Sequence, residues 1–179
     1  MSITNPTPYK AALIKAMTYL GAQEQTVFIG QQIVFPGNPM STTLINVSKD
    51  KMIEVPVMEE TQMGISLGLS MTGKTVISFY PRWNFLICAA NQLINHLDTY
   101  YEMTGFHAHV LIRVGKGADT PLDPGPQHKA NYLEAFQLMC KNTNFYDLKT
   151  ADQIDAAYTK AWATPGIHVL AEYPELYNN

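Results

Sequence analysis

Two hydrophobic rhythms alternate along this chain. Short runs rich in β-branched and aromatic residues, most of them closed by glycine or proline, read as strands at Thr26–Ile29, Ile53–Val57, Thr75–Tyr80, His109–Val114, Phe145–Leu148 and Ile167–Ala171. Between them, apolar residues recur at helical spacing. Tyr9–Tyr19, Glu60–Thr72, Asn131–Cys140 and Ala151–Ala163 read as helices, and Asn84–Thr104 as the longest, with Leu86, Ile87, Ala90, Leu93, Ile94 and Leu97 on one stripe. Gly21, Gly73 and Gly105 supply stops. Residues 31–52 are mixed, with a turn at 35–39, and 115–128 is a loop of glycine, proline and aspartate, too long for a plain connector. Strand and helix alternate to the end, which predicts an α/β fold in three layers: a mostly parallel sheet with helices on both faces. No repeat or linker interrupts it, so residues 1–179 read as a single domain.

Composition narrows the class. Hydrophobic residues make up 46% and charged residues 15%, enough for a core and low enough to expect apolar surface covered by a partner. A net charge of −3 and no basic run argue against nucleic acid. Cys88 and Cys140 sit in helical apolar patterns and read as buried free thiols. The start, MSITNPTPYK, lacks the pattern of a signal peptide, and no apolar run reaches the roughly 20 residues of a membrane span. A soluble, cytoplasmic protein with no membrane contact is expected.

Candidate chemistry concentrates where strands end, the edge at which such sheets bind ligands. Glu59 follows a strand and precedes an apolar helix, between Met58 and Met63. A carboxylate in that setting calls for a raised pKa or a specific partner. The plainer reading is a helix-start charge favoured by the macrodipole. Strand 75–80 runs into YPRWNF, which places Trp83 and Phe85 where an aromatic face can stack on a planar ring, or simply pack in the core. Arg82 is an anion binder or a solvated surface charge. The loop 115–128 ends in Gln127–His128, a histidine at a helix start that can exchange protons or merely cap. His107 and His109 share a strand face without a third ligand for a metal. GxGxxG, GxxxxGK[ST] and GxSxG are all absent.

Taken in order, Pro56, Glu59, Gly64 and Gly68, then Phe79, Asn84 and Phe85, the QLIN run at 92–95, Thr99–Tyr101, Met103, Gly105 and Gln127–His128 resemble the pyrimidine-binding domain of thiamine-diphosphate enzymes. The likeness is to beta subunits of two-component 2-oxo acid dehydrogenases, with transketolases a step further away. It is ungapped over 56–95 and weaker over roughly 8–175. The resemblance implies that Glu59 hydrogen-bonds a ring nitrogen of the cofactor's aminopyrimidine and shares a proton there, promoting the tautomer that generates the ylide. It implies Phe85 and Trp83 as walls of the aminopyrimidine pocket, with Phe85 stacking, and His128 as a histidine facing the substrate. The cofactor does the carbanion chemistry, and the protein positions it.

Departures from the family pattern bear on the substrate. Gln31 and Gln32 follow Gly30 where an acidic residue is usual, and Gln31 joins the candidate cofactor-side residues. Cys88 stands where glutamine is frequent, and Pro81–Arg82 is an unusual turn. The GDG motif that holds Mg²⁺ and diphosphate is absent. Thiamine diphosphate and Mg²⁺ are therefore expected to bind across an interface with a larger, GDG-bearing subunit, in a two-plus-two heterotetramer. The expected reaction is ketol or acyl transfer of transketolase type on a small keto or sugar substrate. Decarboxylation of a 2-oxo acid is the alternative, and a non-catalytic partner subunit is the rival from another class.

Overall fold

A computed structural model describes residues 6–35, 37–117, 119 and 123–178. Six parallel strands form one sheet: β1 Thr26–Gly30, β2 Met52–Glu54, β3 Thr75–Tyr80, β4 His109–Gly115, β5 Asn144–Asp147 and β6 Gly166–Glu172, in the order β2-β1-β3-β4-β6-β5. The predicted α/β class holds. The central strands are buried on both faces, which explains their near-continuous apolar runs.

Alternate strand positions feed two cores. Phe28, Ile77, Phe79, Leu111 and Leu170 face α1 (Pro8–Ala22) and α6 (Ala151–Ala163). Ile29, Val76, Tyr80, Val110, Ile112 and Val169 face the other layer, built from α2 (Glu59–Met71), α3 (Trp83–Cys88), α4 (Tyr100–Thr104) and α5 (Leu133–Met139). Thr150 and Gln153 form a capping box at the start of α6, and Thr7 caps α1.

The long helix expected over 84–104 is divided. It runs as α3, a π-helical segment Gln92–Leu97, then α4. No glycine or proline lies inside it. At the junction of the π-helical segment and α4, the buried Asp98 carboxylate accepts from the backbone N–H groups of Lys141 (2.8 Å) and Asn142 (2.9 Å) and from the Thr143 hydroxyl (2.7 Å). The Asn142 side-chain amide takes the Asp98 carbonyl, which a continuous helix would use itself. The mixed stretch after β1 contains two short 3₁₀ helices, Pro39–Leu44 and Lys49–Lys51. Pro36, within the predicted turn, lies outside the described residues, as do Met1–Asn5 at the start and residues 118 and 120–122 of the long loop. Cys140 is buried as expected, but Cys88 is exposed, because α3 ends there with its side chain on the outer surface. Among the described residues no helix is long and apolar enough to cross a membrane.

Candidate functional site

The carboxyl ends of β1, β3, β4 and β6 open into one cleft of about 430 Å³. It lies at the switch point of the sheet, where the chain leaves β1 for β2 on one side and returns through β3 on the other. Gln31 and Gln32 line it after β1, Arg82 and Phe85 after β3, Lys116 and Gly117 after β4, and Pro174 and Glu175 after β6.

The loop after β1 is shaped by Glu54, which pairs in register with Gly30. The Glu54 carboxylate accepts the successive N–H groups of Gln32 (2.5 Å), Ile33 and Val34 (both 2.9 Å). Gln32 adopts φ 55° to allow it. Three aligned N–H groups make an anion-binding nest, and this one is filled by the chain's own carboxylate. Two glycines set the opposite wall. A Cβ on Gly115 would lie 2.4 Å from the Pro81 carbonyl oxygen, and one on Gly117 would lie 1.6 Å from that of His128. Only glycine lets the chain pass so close, and the second approach holds His128 beside the cleft.

Glu59 is the first residue of α2 and only 7% exposed. Its helix has no side-chain cap, so the carboxylate sits at an uncompensated positive end. Gln31 Nε2 donates to Glu59 Oε1 at 2.9 Å. The Tyr80 hydroxyl donates to the Glu59 carbonyl at 3.3 Å, and burial, followed by the nearby Glu59 charge, keeps that phenol well above its ordinary pKa and protonated. The structure thus gives Glu59 a specific partner, Gln31, across 28 residues of sequence.

Trp83 and Phe85 diverge. Trp83 is 1% exposed, packs on Phe136 with ring centroids 5.6 Å apart, and does not line the cleft. Its expected place as a pocket wall is corrected to the core beneath the cleft. Phe85 does line the cleft and stacks on His128, with centroids 5.9 Å apart and planes at 29°. His128 Nδ1 is buried with no hydrogen-bond partner among the described residues. Gln31 and Phe85 thus line one cleft, and each touches a predicted site residue that is not among its lining residues, Glu59 and His128 respectively. Arg82 and Lys116 add positive charge, with Lys116 Nζ 5.3 Å above the Tyr173 ring. Lys116, Glu175 and the Glu54 nest were not singled out in the sequence. No local sequence pattern marks Glu54, because its register opposite Gly30 exists only in the folded sheet.

No protein-family model matches the chain, and no curated protein sequence matches it. Among solved structures it is similar to a protein described as a split gene transketolase in an inactive beta4 tetramer, with a TM-score of 0.72 and 18% identity. The match covers 93% of this chain and 51% of that one, so the chain spans about half the length of the similar structure. This likeness shows a transketolase-like fold.

Proposed function

We propose that this chain is the small, aminopyrimidine-holding subunit of a thiamine-diphosphate-dependent enzyme of transketolase type. The observation that carries the reading is the buried Glu59 carboxylate at the start of α2, oriented by Gln31, which lines the same cleft as Phe85. A half-buried aromatic face and a shielded carboxylate with one oxygen held and the other free of hydrogen bonds among the described residues fit an aminopyrimidine ring. The diphosphate end of the cofactor is not matched in the same way. The nest formed by Gln32, Ile33 and Val34 is occupied by Glu54. The diphosphate and Mg²⁺ thus fall to a second, GDG-bearing subunit, in the two-plus-two assembly.

When bound, thiamine diphosphate supplies a carbanion centre for making or breaking a carbon–carbon bond next to a carbonyl. The chain's own residues have simpler tasks. Glu59 holds and shares a proton at its free oxygen, and Gln31 fixes the direction of that oxygen. Phe85 offers its face to the ring, and His128, whose Nδ1 has no hydrogen-bond partner among the described residues, moves a proton on the substrate side. Ketol or acyl transfer on a small keto or sugar substrate is the reaction class. The beta4 tetramer of the similar structure supports self-association of this chain when its partner subunit is absent.

The test is Glu59→Gln in the assembled enzyme. It keeps size and hydrogen bonding but cannot pass a proton. Hydrogen–deuterium exchange at the thiazolium carbon is expected to slow by roughly 10²–10⁴. Exchange at the parent rate would return Glu59 to a helix-start charge. Phe85→Ala is expected to weaken cofactor binding by about 1–3 kcal/mol in calorimetry on the same complex.

A further inference from the structure

Glu54 closes β2, and Glu59 opens α2 a short way along the chain. Two routes link them. One is covalent, through Val55, Pro56, Val57 and Met58. The other runs through space. The Glu54 carboxylate holds the N–H groups of Gln32, Ile33 and Val34, Gln31 precedes them, and Gln31 Nε2 donates to Glu59 Oε1 at 2.9 Å. At the base of this circuit the Val55 N–H donates to the Gly30 carbonyl at 3.1 Å.

Burial does not call for the second route. Glu54 and Gln32 are exposed, and the bonds from Gln32 and Val34 are open to solvent, where water would serve those N–H groups as well. Yet Gln32, which is not a glycine, accepts a left-handed φ of 55° beside the residue that touches Glu59. Strain retained in an exposed turn points to what the turn carries. Two other holds keep the loop on its course. Ile33 is anchored in the core, and the Asn38 side-chain amide donates to the Gln32 carbonyl at 3.3 Å.

We propose that Glu54 is a positioning residue for proton sharing at Glu59, an inference that rests on the functional reading of Glu59. Ile33 and Asn38 hold the path of the loop. Glu54 sets the direction in which Gln31 leaves it, and Gln31 in turn aims the Glu59 carboxylate. Glu54 is not among the residues that line the cleft, so it acts through Gln31. A misplacement of about 1 Å at a reacting group can slow a reaction by about a hundredfold, which gives a remote hold of this kind its weight.

Two measurements test this. The first uses the full chain without cofactor. The Gln31 side-chain amide, identified by its loss in Gln31→Ala, is expected to give NMR signals displaced from those of free glutamine and protected from exchange with water. Glu54→Ala is expected to return them to free values, with circular dichroism and the urea midpoint close to those of the parent. Glu54→Asp, which restores the charge, is expected to recover part of the displacement. The second is a double-mutant cycle on thiazolium exchange in the assembled enzyme. Glu54→Ala and Gln31→Ala are each expected to slow exchange by about tenfold, and the double variant by no more than the slower single one. Slowing factors that multiply in the double variant overturn the proposal, because Glu54 would then act by another route. Exchange at the parent rate in Glu59→Gln overturns the functional reading, whereas Gln31 signals that stay in place in Glu54→Ala overturn the positioning role alone.

Discussion

On the α1/α6 side of the sheet the buried polar groups include an ion pair and a histidine besides threonines, whereas on the α2–α5 side they are neutral, save for Glu59 at the cleft and Asp98 at the far edge. On the first side Arg113 and Glu172 pair with both side chains fully buried. Arg113 Nε and a terminal nitrogen donate to the two Glu172 oxygens at 2.5 and 2.7 Å, its other terminal nitrogen reaches Thr43 at 3.0 Å, and the Tyr158 and Tyr177 hydroxyls also donate to Glu172. Burial opposes the Arg113 charge, and the Glu172 carboxylate more than offsets it. His109 and His168 lie on the same side and bond the Ala161 and Thr164 carbonyls near the end of α6, both at 2.8 Å. Under α2 the corresponding groups are Gln62, Ser66 and Ser78, linked to one another at 3.1 Å. The outer surfaces follow the same division: α1 and α6 carry the exposed Lys15–Asp155 pair, and α2 and α3 carry no charge past Glu60. One layer is thus anchored by fixed charges. The other, which starts at Glu59 and carries Phe85, is free to be covered.

The sharpest break in that comparison is Glu172→Ala. It leaves the Arg113 guanidinium buried without its partner and is expected to cost about 3–5 kcal/mol in urea unfolding. A cost like that of a surface change would mean that the pair anchors nothing. Acid is the next lever. Burial lowers the pKa of His168 to about 4 and that of His109 below its ordinary value of 6.5. The unfolded chain therefore binds protons between pH 6.5 and 4 that the folded chain refuses. Stability is complete above pH 6.5 and falls as pH drops toward 4, by on the order of 2 kcal/mol from His168. Melting temperatures of the parent and of His168→Gln against pH measure this, and the variant should show the shallower slope. Ser66→Ala in the neutral layer is expected to cost about 1 kcal/mol, with no pH dependence, in the same unfolding assay. Lys15→Ala closes the series: its pair is exposed, and the change is expected to stay under about 1 kcal/mol and to shrink with added salt.

Much of the fold was legible because local chemistry and final environment agree. β3, with TVISFY, is β-rich in sequence and buried on every residue. The Thr150–Gln153 capping box marks α6 in sequence and structure alike. The junction at Asp98 was not legible, because its contact to residues 141–143 is one that no local pattern carries. Trp83 and Phe85 stand two positions apart on a six-residue helix, and only packing against Phe136 decides which one faces the core. The Gln31–Glu59 contact likewise depends on two loops meeting at the sheet edge. The Arg113–Glu172 pair did leave a trace. Arg113 is a lone charge inside a strand that reads as apolar and Glu172 directly follows another, and a charge buried in a central parallel strand requires an opposite one nearby.

Asp98 also has a consequence in time. A chain emerging from synthesis has residues 83–104 long before it has Lys141, and the carboxylate's partners lie 43 to 45 positions downstream. Until they arrive, the amphipathic stripe from Leu86 to Leu97 has nothing to divide it, and the nascent segment is expected to wind as one rod. Completion of α5 then brings residues 141–143 to Asp98 and is expected to open the rod at its junction with α4. Maturation of this layer is then expected to include a remodelling step, and Asp98→Ala, which removes the recruiting group, should leave the rod intact at that junction in pulsed hydrogen exchange during refolding.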